Sequence, residues 1–128
     1  MRTFAFFIDP PYGPTLYQLK DGRFQIVQAG TLQDLMAGFG YFLASAAFLE
    51  VLRTVVPDLR SASVILFDPA KNEEITGFHE FFVDRTLDLE SIEAARDSAD
   101  SLWRYYEYLF VSEDLCRRLL ARFPTLEA

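Results

Sequence analysis

Two stretches of this chain, Tyr41 to Leu59 (YFLASAAFLEVLRTVVPDL) and Tyr108 to Leu126 (YLFVSEDLCRRLLARFPTL), are versions of one pattern set 67 residues apart. Each opens on aromatic and apolar residues and reaches a serine at the same offset, Ser45 or Ser112. Apolar residues at helical spacing follow, and each stretch stops at a proline (Pro57, Pro124) with a leucine two positions on (Leu59, Leu126). A serine so placed suits a helix N-cap, because its hydroxyl accepts from a first-turn backbone N–H that has no partner within the helix. Glu113 and Asp114 then fall in the first turn, where the macrodipole favours negative charge. Proline lacks the N–H that would continue the helix and marks its end. The repeated unit is therefore expected to be a short strand feeding a capped amphipathic helix.

The rest of the chain reads as sheet around these units. Thr3 to Asp9 is aromatic and β-branched enough for a strand, and the prolines and glycine from Asp9 to Pro14 form a loop. Thr15–Leu19 and Arg23–Gln28 flank Lys20, Asp21 and Gly22, a hairpin signal that places Phe24 and Ile26 on one face. Thr31 is expected to cap a short helix, Leu32 to Ala37. The following Gly38-Phe39-Gly40 lacks the third glycine of a dinucleotide fingerprint, Leu43 standing in its place, and reads as a break between elements. Ala62 to Phe67 is a short β-branched run expected to be a buried strand. It returns through a turn as Glu74 to Val83, with Gly77 a candidate bulge. Leu89 to Asp97 is expected to be an acidic surface helix. Leu102 to Val111 is read as a strand on the strength of the repeat, although Trp103, Tyr106 and Phe110 also align on a helix. The closing helix, Glu113 to Phe123, buries Leu115, Leu119 and Phe123. The expectation is a single α+β domain over residues 1–128, with a mixed, mainly antiparallel sheet built from hairpins. Two pseudo-repeated strand-Ser-helix units and the acidic helix cover it.

Composition restricts what such a domain can meet. The formal charge is −7, against partners that need a basic face, so neither nucleic acid nor a membrane is expected. The excess is local: residues 84–114 hold nine acids and three arginines, while the rest of the chain is close to neutral. The longest uncharged run, Leu35 to Leu49, is shorter than the ~20 residues a spanning helix requires. Cys116 is the single cysteine and has no partner for a disulfide, which suits a reducing, cytoplasmic location. It lies on the inner stripe of its helix, where Leu49 stands in the other copy, so it reads as packing. His79 is the single histidine. No H-x-x-x-H or C-x-x-C spacing is present, so no metal, no cofactor and no enzymatic activity are expected. What remains is the acidic, aromatic stretch. The usual meaning of such a run is a solvated face. The competing reading makes Asp84, Asp88, Glu90, Glu93, Asp97, Asp100 and Glu107, interleaved with Trp103 and Tyr105, a candidate partner-binding surface, since rings anchor protein interfaces and acids steer a basic partner to them, although the aromatic run equally suits a core.

The run YLFVSEDLCRRLL, a hydrophobic strand ending in Val-Ser before an acidic helix start and Leu-x-x-x-Leu, resembles the C-terminal part of bacterial immunity proteins encoded beside polymorphic toxins. The preceding Asp100 to Arg104, DSLWR, is similar to that family as well. The resemblance covers about the last 30 residues and, through the repeat, Tyr41 to Leu59. It implies a small cytoplasmic α+β protein that binds a cognate toxin or effector domain and blocks its active site, without catalytic residues of its own. A toxin acting on nucleic acid or nucleotides tends to have a basic cleft, which an acidic inhibitor would match. The alternatives are a structural or adaptor subunit of an oligomer and, more distantly, a small hydrolase.

Overall fold

The computed structural model describes residues 6–8, 13–38, 40–84, 102–105, 108–124 and 126. Its strands are β1 (Phe6–Ile8), β2 (Thr15–Gln18), β3 (Phe24–Gln28), β4 (Leu35–Gly38), β5 (Tyr41–Ser45), β6 (Arg60–Asp68), β7 (Glu73–Phe82), β8 (Leu102–Tyr105) and β9 (Tyr108–Val111). Helix α1 spans Ala46–Val55 and α2 spans Glu113–Arg122. The fold is α+β. The strands form a six-stranded sheet, β2-β3-β6-β7-β5-β4, and a three-stranded sheet, β1-β9-β8, rather than the one sheet expected. Every pairing is antiparallel except β3 with β6.

The repeat holds to the level of single hydrogen bonds. Ser45 (φ −67°, ψ 162°) and Ser112 (φ −68°, ψ 163°) cap their helices from nearly identical backbone positions. Their Oγ atoms accept from the N–H of Phe48 at 3.2 Å and of Leu115 at 3.3 Å. At the far ends, Val56 N–H donates to the Leu52 carbonyl at 2.9 Å, and Phe123 N–H to the Leu119 carbonyl at 2.7 Å. The turns after the prolines then close with Leu59 N–H on Val56 and Leu126 N–H on Phe123.

The structural unit is larger than its sequence trace. The β4–β5 pair (Leu35↔Ala44 to Gly38↔Tyr41) has the same register as β8–β9 (Leu102↔Val111 to Tyr105↔Tyr108), so each unit is a ββα element. A third strand completes each one. Ala44 and Leu43 pair with His79 and Glu80 of β7, while Val111 and Phe110 pair with Phe6 and Phe7 of β1. Thus β1 stands in the second unit where β7 stands in the first. Leu102 to Val111, expected as one strand, is accordingly the two strands of a hairpin.

The two units share one interior. Leu35 and Leu102, Phe42 and Leu109, Ala44 and Val111, Phe48 and Leu115, Leu49 and Cys116, Leu52 and Leu119, and Leu59 and Leu126 are equivalent pairs, and all are buried in the same cluster. The rings of Phe48 and Phe123 meet across the helix pair at 5.2 Å. Arg118, held by Asp114 one turn earlier at 3.1 Å, also reaches the Thr54 hydroxyl of α1 at 3.3 Å. Arg53 has no counterpart in α2; it donates to the Leu59 carbonyl and the Ser61 hydroxyl, tying the end of α1 to β6.

A second apolar cluster, Leu16, Phe24, Met36, Leu43 and Leu66, lies on the opposite face of the six-stranded sheet. In hydrogen-bonding order β3 and β5 are separated by two strands, about 14 Å in a flat sheet. The Phe24 and Tyr41 rings are nevertheless 5.1 Å apart, so the sheet curls until the β2–β3 hairpin lies over β5. Gly77 makes this possible. It has φ +94°, and the register between β6 and β7 slips by one residue beside it, as a bulge does. The extra residue lets Phe78 and Ile75 both face the second cluster despite their odd spacing.

The stretch Leu32–Ala37, expected as a helix, instead runs into strand β4, which begins at Leu35. Leu35 and Met36 are adjacent and both buried, each in a different cluster, an arrangement that a strand between two apolar layers provides and a one-sided surface helix does not. Asp34, just before β4, accepts from the Ser45 hydroxyl at 2.6 Å. Ala62–Phe67 lies within β6, but only Leu66 of that strand is fully buried, because α1 packs over β5 and β7 and leaves β6 at the side. The expected strand at Thr3–Asp9 is described only as Phe6–Ile8, and the expected helix at Leu89–Asp97 lies outside the described residues.

Because one core serves both units, Leu52→Ala and Leu119→Ala should each lower stability by about 2–5 kcal/mol. Ser112→Ala should cost about 1 kcal/mol through its lost cap. Urea unfolding followed by circular dichroism and by Trp103 fluorescence should show one shared transition for every variant. Separate midpoints for the two signals would mean that the units unfold independently.

Candidate protein-binding surface

Of the residues expected to meet a partner, Asp88, Glu90, Glu93, Asp97, Asp100 and Glu107 lie outside the described residues. Asp84 follows β7 and is exposed, but its carboxylate is 2.6 Å from the Arg60 guanidinium, which also lies over the Phe82 ring at 5.8 Å. It is a charge already paired with the chain's own arginine. Such an exposed pair contributes little to stability and can be exchanged for a partner's base at small cost. Trp103 is corrected more sharply. It pairs with Phe110 in mid-strand and is only 3% exposed, so it is a packed residue and not a free anchor. Tyr105 ends β8 opposite Tyr108.

The exposed ring of this sheet is Tyr108, and Phe7 and Phe110 beside it are half-buried. In β9 the alternation sends Leu109 and Val111 into the helix-side core, which leaves Tyr108 and Phe110 facing away from it. Phe7, paired with Phe110, joins them from β1. Its ring meets Tyr108 edge-on at 5.5 Å and Phe110 at 5.6 Å, and Tyr108 remains 44% exposed. This three-ring corner sits at the β1 side of the small sheet, and β8 and β9 both fall within the acid-rich stretch 84–114. Phe7 is about a hundred residues from Tyr108 in sequence, and no signal in the chain predicts the contact.

The equivalent face of the first unit is closed. Tyr41 stands where Tyr108 does, with its ring against Phe24 of the overlying hairpin. A Cβ on Gly38 would overlap the Tyr41 ring, so the glycine is what lets that ring lie flat across the strand end. Burial pushes the Tyr41 hydroxyl's pKa up, a backbone hydrogen bond at Leu16 opposing the shift.

Other polar groups show less. The Ser63 hydroxyl and His79 Nδ1 are 3.4 Å apart on β6 and β7. Among the described residues no cluster of three or more His, Cys, Asp or Glu side chains could hold a metal ion, and no helix is long and apolar enough to cross a membrane. Cys116 is buried, and desolvation, with the nearby Glu113 charge, pushes its thiol pKa up, away from the reactive thiolate. Tyr17 and Val27 are exposed on the outer face of the β2–β3 hairpin, 65% and 55% respectively. The chain matches no protein-family model, no curated protein and no solved structure.

Glu80 pairs with Leu43 and Ala62 on the curled face of the large sheet, and desolvation there raises its pKa above the ordinary carboxylate value. The folded protein then holds a proton that the unfolded chain has already lost, so stability falls as pH rises through that interval and stays lowered above it. Glu80→Gln should therefore be more stable than wild type at pH 7, with the difference closing below about pH 4, where both states are protonated. Denaturant midpoints across that range measure the effect. A difference that does not depend on pH would mean that the carboxylate is not desolvated.

Proposed function

We propose that the protein is a stoichiometric inhibitor of the bacterial immunity type, which binds a cognate toxin domain and occludes its active site. The observation that supports this reading is the ring corner of Phe7, Tyr108 and Phe110, in which Tyr108 is 44% exposed and β9 belongs to the most acidic quarter of the sequence. Aromatic side chains supply large contact area at low entropic cost, and acids such as those of residues 84–114 accelerate encounter with a basic cleft. The resemblance of YLFVSEDLCRRLL to immunity proteins points the same way.

The second reading, an adaptor subunit, draws on a different observation: Tyr17 and Val27 are exposed on the outer face of the β2–β3 hairpin. A partner seated there would need no strong charge.

The deciding experiment is co-purification with the product of the adjacent gene. Binding at micromolar concentration or tighter, with loss of the partner's activity at a one-to-one ratio, is the expected result. Asp97→Lys combined with Asp100→Lys should then slow association several-fold, and added salt should reduce the difference. An association rate indifferent to both the double variant and salt would remove electrostatic steering from the proposal.

A further inference from the structure

We infer that Glu80 and Phe82, on the face of β7 turned away from the helices, form a site for an arginine side chain of the partner protein. This rests on the reading of the chain as a protein-binding inhibitor and names the chemistry of one contact. Alternation along the end of β7 places Phe81 and Val83 in the helix-side core, so Glu80, Phe82 and Asp84 project from the opposite face. Phe82, 38% exposed, thus stands between two carboxylates, each about 7 Å away along the strand. One of them already has a base: the Arg60 guanidinium lies over the Phe82 ring at 5.8 Å and reaches Asp84 at 2.6 Å. The other has none. Glu80 is half-buried between Leu43 of β5 and Ala62 of β6, and among the described residues it makes no ion pair and no side-chain hydrogen bond.

The second unit shows that the fold does not call for an acid here. Phe7 stands opposite Phe110 as Glu80 stands opposite Leu43, so an apolar residue holds the same register position. A carboxylate desolvated by apolar neighbours without a base destabilises the native chain, and a guanidinium set against it offsets that cost. Arg60 is the internal precedent, since ring and carboxylate on this face already hold one guanidinium. Arginine suits the place better than lysine, because its planar, weakly hydrated head stacks on a ring while its N–H groups meet a carboxylate. At this end of the face Arg60 stands against Glu80 and Asp84, which leaves one negative charge over for an incoming cation.

The probe is a blocked alanyl-arginyl-alanine peptide, titrated into the full-length protein and followed by NMR, with the uncharged citrulline peptide of the same shape as control. The arginine peptide should bind saturably, with about millimolar affinity, and shift the Glu80 carboxyl and Phe82 ring signals. The citrulline peptide should shift neither. Glu80→Gln should weaken peptide binding roughly tenfold while being the more stable protein at neutral pH, a combination that a merely structural carboxylate does not give. Phe82→Ala should weaken binding several-fold, and Tyr17→Ala, on the β2–β3 hairpin, should leave it unchanged. Equal affinity of wild type and Glu80→Gln, or equal binding of the two peptides, would overturn the inference. Shifts confined to Asp84 would overturn it as well, since they mean exchange with Arg60 and no site at Glu80. The two proposals can fail separately: a toxin domain held by Glu80→Gln with unchanged affinity sinks the arginine site alone, and peptide binding at Glu80 without any toxin partner sinks the inhibitor reading alone.

Discussion

The packing of α1 against α2 is the contact on which the rest of the structure depends. Neither helix has an apolar stripe that water would tolerate, and neither three-strand layer is wide enough to cover one by itself. Stacked through Phe48 and Phe123, the two units bury both stripes in one cluster that also takes in Ile8, Phe81 and the inner faces of β5 and β9. The serine caps fix where each helix begins, and the Leu59 and Leu126 turns fix where each leaves the core.

On that symmetric base the molecule is built asymmetrically. The first unit gains β6, β3 and β2, which curl over its outer face and make a second apolar layer around Leu43 and Phe24. In the second unit Tyr108 stays exposed, while Phe7 and Phe110 beside it are half-buried and Trp103 is packed. A glycine under Tyr41 and a bulge at Gly77 serve the closed face, while the matching position opposite Tyr108 is Tyr105. The difference between the two halves, more than any single residue, draws attention to the β1 corner.

The sequence-based expectations succeed and fail along a physical line. The strand-Ser-helix trace is legible because a cap, a helical stripe and a stop each demand a particular residue type at a fixed position. The β4–β8 equivalence is not, since a strand asks only for alternation, and Leu-Met-Ala-Gly shares one residue with Leu-Trp-Arg-Tyr. The same lack of signal turned β4 into an expected helix. For the candidate surface, two of the residues that composition selects stand otherwise in the structure: Trp103 is packed, and Asp84 is paired with Arg60. The contact of Phe7 with Tyr108 has no signal in the sequence.

By itself the sequence determined the local rules: where two helices start and stop, which residues face inward, where a hairpin turns on Asp-Gly, and how the charge is distributed along the chain. Those outcomes depend on contacts within a few residues, or on a sum over many. Only the tertiary structure decided that β1, at one end of the chain, would stand in the second unit for what β7 is in the first. Strand pairing across a hundred residues is fixed by which partners complete a buried layer, and no short-range pattern encodes that choice.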